Sequence, residues 1–167
     1  LITIDDGFLA EGLIALIAEL EKLGEVTAIA PDRPRSAAGH AITLHKPLRF
    51  SPVRLRDGSL GYASNGTPSD CVVLGLSEYL GAKPDLVVAG INLGANLGED
   101  LTYSGTVSAA MEAVILGLPA FAISLAADPT AMAIAGTHDY GPAARFAARL
   151  AQVVMKSRLP SDVILNV

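Results

Sequence analysis

The sequence predicts an α/β protein: a doubly wound, mostly parallel sheet, with a small antiparallel excursion around residues 42–66. Three observations predict it. Short apolar or β-branched runs alternate with helix-spaced segments along the chain. Acidic residues, glycine and proline punctuate the ends of those runs, where strands hand over to loops. One long polar, glycine-rich stretch, residues 90–106, interrupts a chain that is 51% hydrophobic. A loop of that kind, placed after a buried strand, is where such a sheet holds its ligand.

Each element follows from its own pattern. Leu1-Ile2-Thr3-Ile4 reads as a strand, broken by Asp5-Asp6-Gly7. Leu13, Leu16, Ile17, Leu20 and Leu23 recur at helical spacing, with Gly24 expected at C′. Val26 to Ala30 is the second buried strand, ended by Pro31-Asp32. Strand, helix and strand in so short a span make a right-handed βαβ unit with a parallel pair. A polar loop, residues 32–40, follows. From Ile42 to Gly66 the pattern shifts to short extended pieces with Pro47, Pro52 and the turn signal Asp57-Gly58.

Thr67 suits an N-cap and Pro68 the first helical position, ahead of an apolar stripe at Val72, Leu76, Tyr79 and Leu80. Asp85 to Ala89 is the next parallel strand, leading into residues 90–106 and then a helix from about Thr106. Pro119 to Leu125 reads as a strand. His138 to Tyr140 precedes a helix with Ala144, Ala147, Ala148, Ala151 and Val154 at close-packing spacing, and Val163 to Val167 reads as a last strand. The sum is a Rossmann-like three-layer sandwich.

Composition limits the functions open to this chain. At 167 residues it can bury one real core without a second domain. A net charge of -5 argues against a general binder of nucleic-acid duplexes, which needs a basic face. A phosphorylated substrate must then be met by a metal ion or by backbone N–H groups. Cys71 is the lone cysteine, so no internal disulfide framework exists, in keeping with a reducing compartment. The longest uncharged stretch, Ala113 to Ala127, is too short to span a bilayer and is broken by Gly117 and Pro119. No charged-then-apolar leader opens the chain. It begins without Met and stops inside a strand pattern, so both ends read as cut.

Asp5-Asp6 follows the first strand at the carboxyl end of the sheet. Two adjacent carboxylates repel unless a cation sits between them, and oxygen ligands of this kind suit Mg²⁺, Mn²⁺ or Ca²⁺. Capping of a helix N-terminus is the competing explanation. Ser36 and Asn92 lie on two other loops at strand carboxyl ends, which converge in a doubly wound sheet. With the two acids they form an all-oxygen set fit for a hard cation, although each singly is also a common turn former. Ser104-Gly105-Thr106 opens a helix, and its N–H groups and hydroxyls suit an anion such as phosphate, with Asn96 a further donor. Ordinary Ser/Thr capping explains the same residues.

Other motifs are missing. No Gly-x-Gly-x-x-Gly follows the first strand, and no P-loop or Gly-x-Ser-x-Gly elbow is present. Cys71 falls within a helix's apolar pattern and reads as core. His40 reads as a structural hydrogen-bonding residue or a proton donor, and His45 and His138 show no informative spacing.

Taken together, the chain resembles the SurE (survival protein E) family of metal-dependent nucleotide phosphatases. The matching pieces are Asp5-Asp6-Gly7, Ala30 to Arg33, Ser36 to Thr43, Gly66 to Cys71, Gly90 to Gly98 and Tyr103 to Val107, in order, with Ile164 to Val167 resembling a later family strand. The resemblance implies that Asp5, Asp6, Ser36 and Asn92 bind one divalent cation, Mg²⁺ or Mn²⁺. It implies that Asn96, Ser104, Gly105 and Thr106 hold the substrate phosphate. The implied activity is hydrolysis of nucleoside 5′- or 3′-monophosphates, with Asp5 and Asp6 catalytic and Asp6 favoured as acceptor of the water's proton. An aspartyl-phosphate route ranks second.

Members of the family are cytoplasmic homodimers or homotetramers that exchange a C-terminal extension. Residues 1–167 would be a single α/β domain without that extension. One departure stands at Ile4, where the family usually carries Asn. It prompts an alternative, a catalytically impaired nucleotide- or anion-binding module on the same fold.

Overall fold

The computed structural model describes residues 1–55, 57–77, 83–127, 138–157 and 159–167. Among them the chain runs β1 (Ile2–Thr3), α1 (Glu11–Leu20), β2 (Ile29–Pro31), β3 (Phe50–Arg54), β4 (Leu60–Ser64), α2 (Pro68–Gly75), β5 (Val87–Leu93), a 3₁₀ turn (Gly98–Thr102), α3 (Gly105–Ile115), β6 (Ala120–Leu125), α4 (Gly141–Ser157) and β7 (Leu165–Asn166). Strands β1, β5, β6 and β7 lie in that order, all parallel. A smaller mixed sheet, β2-β4-β3, pairs β4 parallel to β2 and antiparallel to β3. The two meet through one parallel bridge, Ile2 to Ala28. The antiparallel excursion is the β3–β4 hairpin, and its second strand extends the surface begun by β2.

Strand periodicity decides which helix covers which face. Ile2, Ile4, Val88, Phe121 and Ile123 belong to one apolar cluster with Leu13, Leu16 and Ile17 of α1 and Ala144, Ala147, Ala151 and Val154 of α4. The alternate residues Val87, Ala89, Ala120 and Ala122 join Val72 of α2 and Val107, Ala109, Ala110 and Ala113 of α3. Alanine facing alanine lets α3 lie close to the sheet. The branched residues opposite hold α1 and α4, each buried Leu or Ile contributing about 1.5–3 kcal/mol of transfer free energy. Gly12 sets the approach of α1: a Cβ there would stand 2.1 Å from the Ile91 carbonyl oxygen.

Several element ends differ from expectation. Helix α1 stops at Leu20 with Glu21 as C-cap, and Gly24 has no left-handed φ, because the chain leaves through a turn closed by Leu23 N–H donating to Leu20 O. Strand β5 runs on through Leu93, so the first residues of the glycine-rich segment are strand; beyond a register shift, Asn92 and Leu93 pair with Ser124 and Leu125. Thr67 caps α2 and Pro68 opens it as expected, and Asp70 at the third helical position completes a capping box with Thr67. Tyr79 and Leu80 lie outside the described residues. No described helix is long and apolar enough to cross a membrane.

Candidate active site

Asp5 and Asp6 leave the carboxyl end of β1 on successive residues, and alternation sends them to different partners. The buried Asp5 accepts from Thr106 Oγ1 at 2.5 Å through Oδ1. Asp6 Oδ2 accepts the Leu93 backbone N–H at 3.1 Å. The acids thus touch the glycine-rich segment at its strand end and at its helix end. Gly7, at φ 91°, turns the chain away after them, and a Cβ there would meet the Arg33 backbone at 3.0 Å. Gly105 admits the Asp5 side chain: a Cβ in its place would lie 2.9 Å from Asp5 Cβ and 3.1 Å from Oδ2.

The loop carrying Ser36 is fixed at the same place. Arg35 N–H donates to the Asp5 carbonyl at 2.7 Å, and Gly39 N–H to the Tyr103 carbonyl at 3.0 Å. Ser36 itself is exposed between these anchors. Asn92, one residue before the Asp6 contact, donates Nδ2 to the Gly94 carbonyl at 2.7 Å. That assignment leaves its Oδ1 as the acceptor.

Of the residues expected to hold phosphate, Ser104, Gly105 and Thr106 open α3, while Asn96 is held by β6 and β7, and most of their side-chain polar atoms are engaged. Ser104 caps α3, its Oγ accepting from Val107 N–H at 3.1 Å. Thr106 gives its hydroxyl to Asp5. Asn96 donates Nδ2 to Ser124 Oγ at 2.8 Å, while Asn166 Nδ2 holds the Asn96 carbonyl at 2.8 Å. Gly105 and Thr106 occupy the first turn of α3, where helix geometry supplies no internal acceptor for a backbone N–H. These donors, with the positive end of the helix dipole, are what the site offers an anion.

The fold perturbs the ionisation of Asp6. Burial raises the pKa of Asp6, the Leu93 N–H opposes that rise, and the charge of Asp5 adds to it. No ion pair reaches either acid among the described residues. Nor do those residues hold a cluster of three or more His, Cys, Asp and Glu suited to a metal. The expected donors, two carboxylates with neutral oxygens from Ser36 and Asn92, are all oxygen, a composition that suits hard divalent cations.

Some neighbours escaped the sequence reading. Ser124 lies one residue before the end of a strand expected from sequence, so its position was a usable signal. Tyr140 had none: it follows a long interval after β6, yet its hydroxyl is pushed up to about 12 by burial and by the charges of Asp6 and Glu11. His40 is paired, Nε2 to Glu112 Oε2 at 2.7 Å. Cys71 is buried and its thiol is pushed up to about 12, chiefly by burial. Ile4 is fully buried in the cluster beneath α1 and presents no polar atom to the site.

Comparison with known proteins places this geometry among relatives. The family model for Survival protein SurE matches residues 1–167. The 5'-nucleotidase SurE of Syntrophotalea carbinolica is 54% identical over 167 residues, covering 100% of this chain and 63% of the relative. That of Geobacter metallireducens is 51% identical over 168 residues, covering 100% and 62%. The crystal structure of SurE protein from Aquifex aeolicus superposes with a TM-score of 0.85 at 39% identity, covering 99% of this chain and 63% of that one. The chain therefore spans a little under two thirds of the length of these relatives.

Proposed function

Because this chain belongs to the SurE family, its whole length matching the family model, we propose that it serves a divalent-metal-dependent phosphatase hydrolysing nucleoside 5′- and 3′-monophosphates to nucleoside and phosphate. One observation carries the reading: Asp5 and Asp6 are both tied to the glycine-rich segment, one at the first turn of α3 and the other at the end of β5. The relatives' shared name, 5'-nucleotidase SurE, supports it. Neither the geometry nor the relatives favour the catalytically impaired module.

In this proposal Asp5, Asp6, Ser36 and Asn92 hold one Mg²⁺ or Mn²⁺. Bound there, the ion supplies Lewis-acid polarisation and a water of lowered pKa. Asp6 accepts the proton of the attacking water. The backbone N–H groups of Gly105 and Thr106 face the charge that grows on the phosphoryl oxygens, and Asn96 exchanges Ser124 for one of those oxygens. Asp5 is oriented by Thr106, so the same helix turn positions both the cation ligand and the anion. We place the protein in the cytoplasm as a homodimer or homotetramer, which size-exclusion chromatography with light scattering would measure.

The test is phosphate release from AMP and GMP, with Mn²⁺ and with EDTA. Release that requires Mn²⁺ and disappears in Asp6→Asn is expected. Release that persists undiminished in EDTA would reject the cation's role, and binding of AMP without release would reject the hydrolase.

A further inference from the structure

Residues 32–49 form neither helix nor strand, yet Ser36 within them follows directly on Arg35, whose N–H is fixed on the Asp5 carbonyl. Downstream of Ser36 the loop is held by successive contacts. Gly39 N–H is fixed on Tyr103, and His40 on Glu112. The Ala41 carbonyl accepts from Thr67 Oγ1 at 2.7 Å. Thr43 then makes two bonds to one carboxylate: its N–H to Asp70 Oδ1 at 3.0 Å and its hydroxyl to Asp70 Oδ2 at 2.6 Å. Asp70 is fully buried and has no cationic partner among the described residues.

Capping α2 requires only part of this arrangement. The reciprocal bonds between Thr67 and Asp70, at 3.0 Å and 2.8 Å, already satisfy the helix start. The remaining acceptor capacity of Asp70 goes to a residue of the loop. A buried carboxylate that receives only N–H and O–H donors has a directional demand that a neutral side chain does not reproduce. Gly66 keeps the space: a Cβ there would lie 2.7 Å from Asp70 Cβ.

We propose that Asp70 and Thr43 are positioning residues that latch the Ser36-bearing loop against Asp5, so that the start of α2 sets the affinity of the cation site. The inference rests on the proposed role of Ser36 as a cation ligand. Neither residue touches the ion or the substrate; both act through the loop.

The experiment is Mn²⁺ binding by isothermal titration calorimetry, with thermal melts confirming that each variant is folded. Asp70→Asn is expected to weaken Mn²⁺ binding on the order of tenfold, the usual scale for residues supporting a metal ligand. Thr43→Val, which keeps the backbone bond, is expected to weaken it less, and Thr43→Ser to restore it. Limited trypsin digestion should cut faster after Arg35 in the weakened variants. If Asp70→Asn does not fold, the Thr43 pair decides. Folded variants that bind Mn²⁺ as the parent does would overturn the latch and leave the cation site standing. A parent protein that binds no Mn²⁺ would overturn both.

Discussion

Asp6→Asn separates a cation ligand from a carboxylate that is merely buried. The change keeps the side chain's shape, and the amide oxygen can still accept the Leu93 N–H. What it removes is a negative charge held against Asp5. The pKa of Asp6 is raised in the folded protein, so its favourable contribution to stability is present at low pH. That contribution is lost as pH rises from the unfolded carboxylate value through the folded one. At neutral pH the metal-free protein therefore carries a cost that Asn relieves, and Asp6→Asn should be as stable as the parent or slightly more so. With Mn²⁺ at 100 times its Kd the parent gains about 2.7 kcal/mol. For a chain of this length that raises Tm by roughly 5–11 °C. The variant should gain almost nothing. Differential scanning calorimetry in EDTA and in Mn²⁺ makes the measurement. A full Mn²⁺ shift in Asp6→Asn, or a metal-free variant much less stable than the parent, would refute the reasoning.

Other substitutions test the frame and the helix turn. Gly12→Ala drives a Cβ into the Ile91 carbonyl oxygen, a backbone atom that cannot step aside, and should cost about 3 kcal/mol in urea unfolding. An unchanged midpoint would mean that α1 does not sit so close to β5. Thr106→Val leaves the buried Asp5 Oδ1 without its hydroxyl donor and should cost about 1–3 kcal/mol. The same variant should lower Mn²⁺ affinity, read from the metal-dependent melt. Cys71, its thiol pushed up to about 12, should resist iodoacetamide at pH 8 in the folded protein and react fully in urea. Prompt labelling of the native protein would contradict its burial.

Local pattern and short-range chemistry were legible in the residues themselves. The β-branched run at Ile2, Thr3 and Ile4, the helical spacing from Leu13 to Leu20, and the Thr67-Pro68 start each depend on neighbours a few positions away. So did the glycine-rich segment: Gly90, Gly94 and Gly98 take positive φ, while Gly105 serves a close approach to Asp5. Tertiary structure decided the partnerships. Thr67 and Pro68 marked the start of α2, but only the folded chain brings Thr43 to Asp70. Tyr140 stands near Asp6 although well over a hundred residues separate them in sequence. The run from Gly90 to Leu93 became strand because β6 offered a partner for Asn92 and Leu93, and Ile4 became core because α1 lies over it. Propensity and capping act through bonds within a turn or two, so sequence states them; hydrogen-bond partners across the sheet and between loops are chosen by packing, which exists only once the layers have closed.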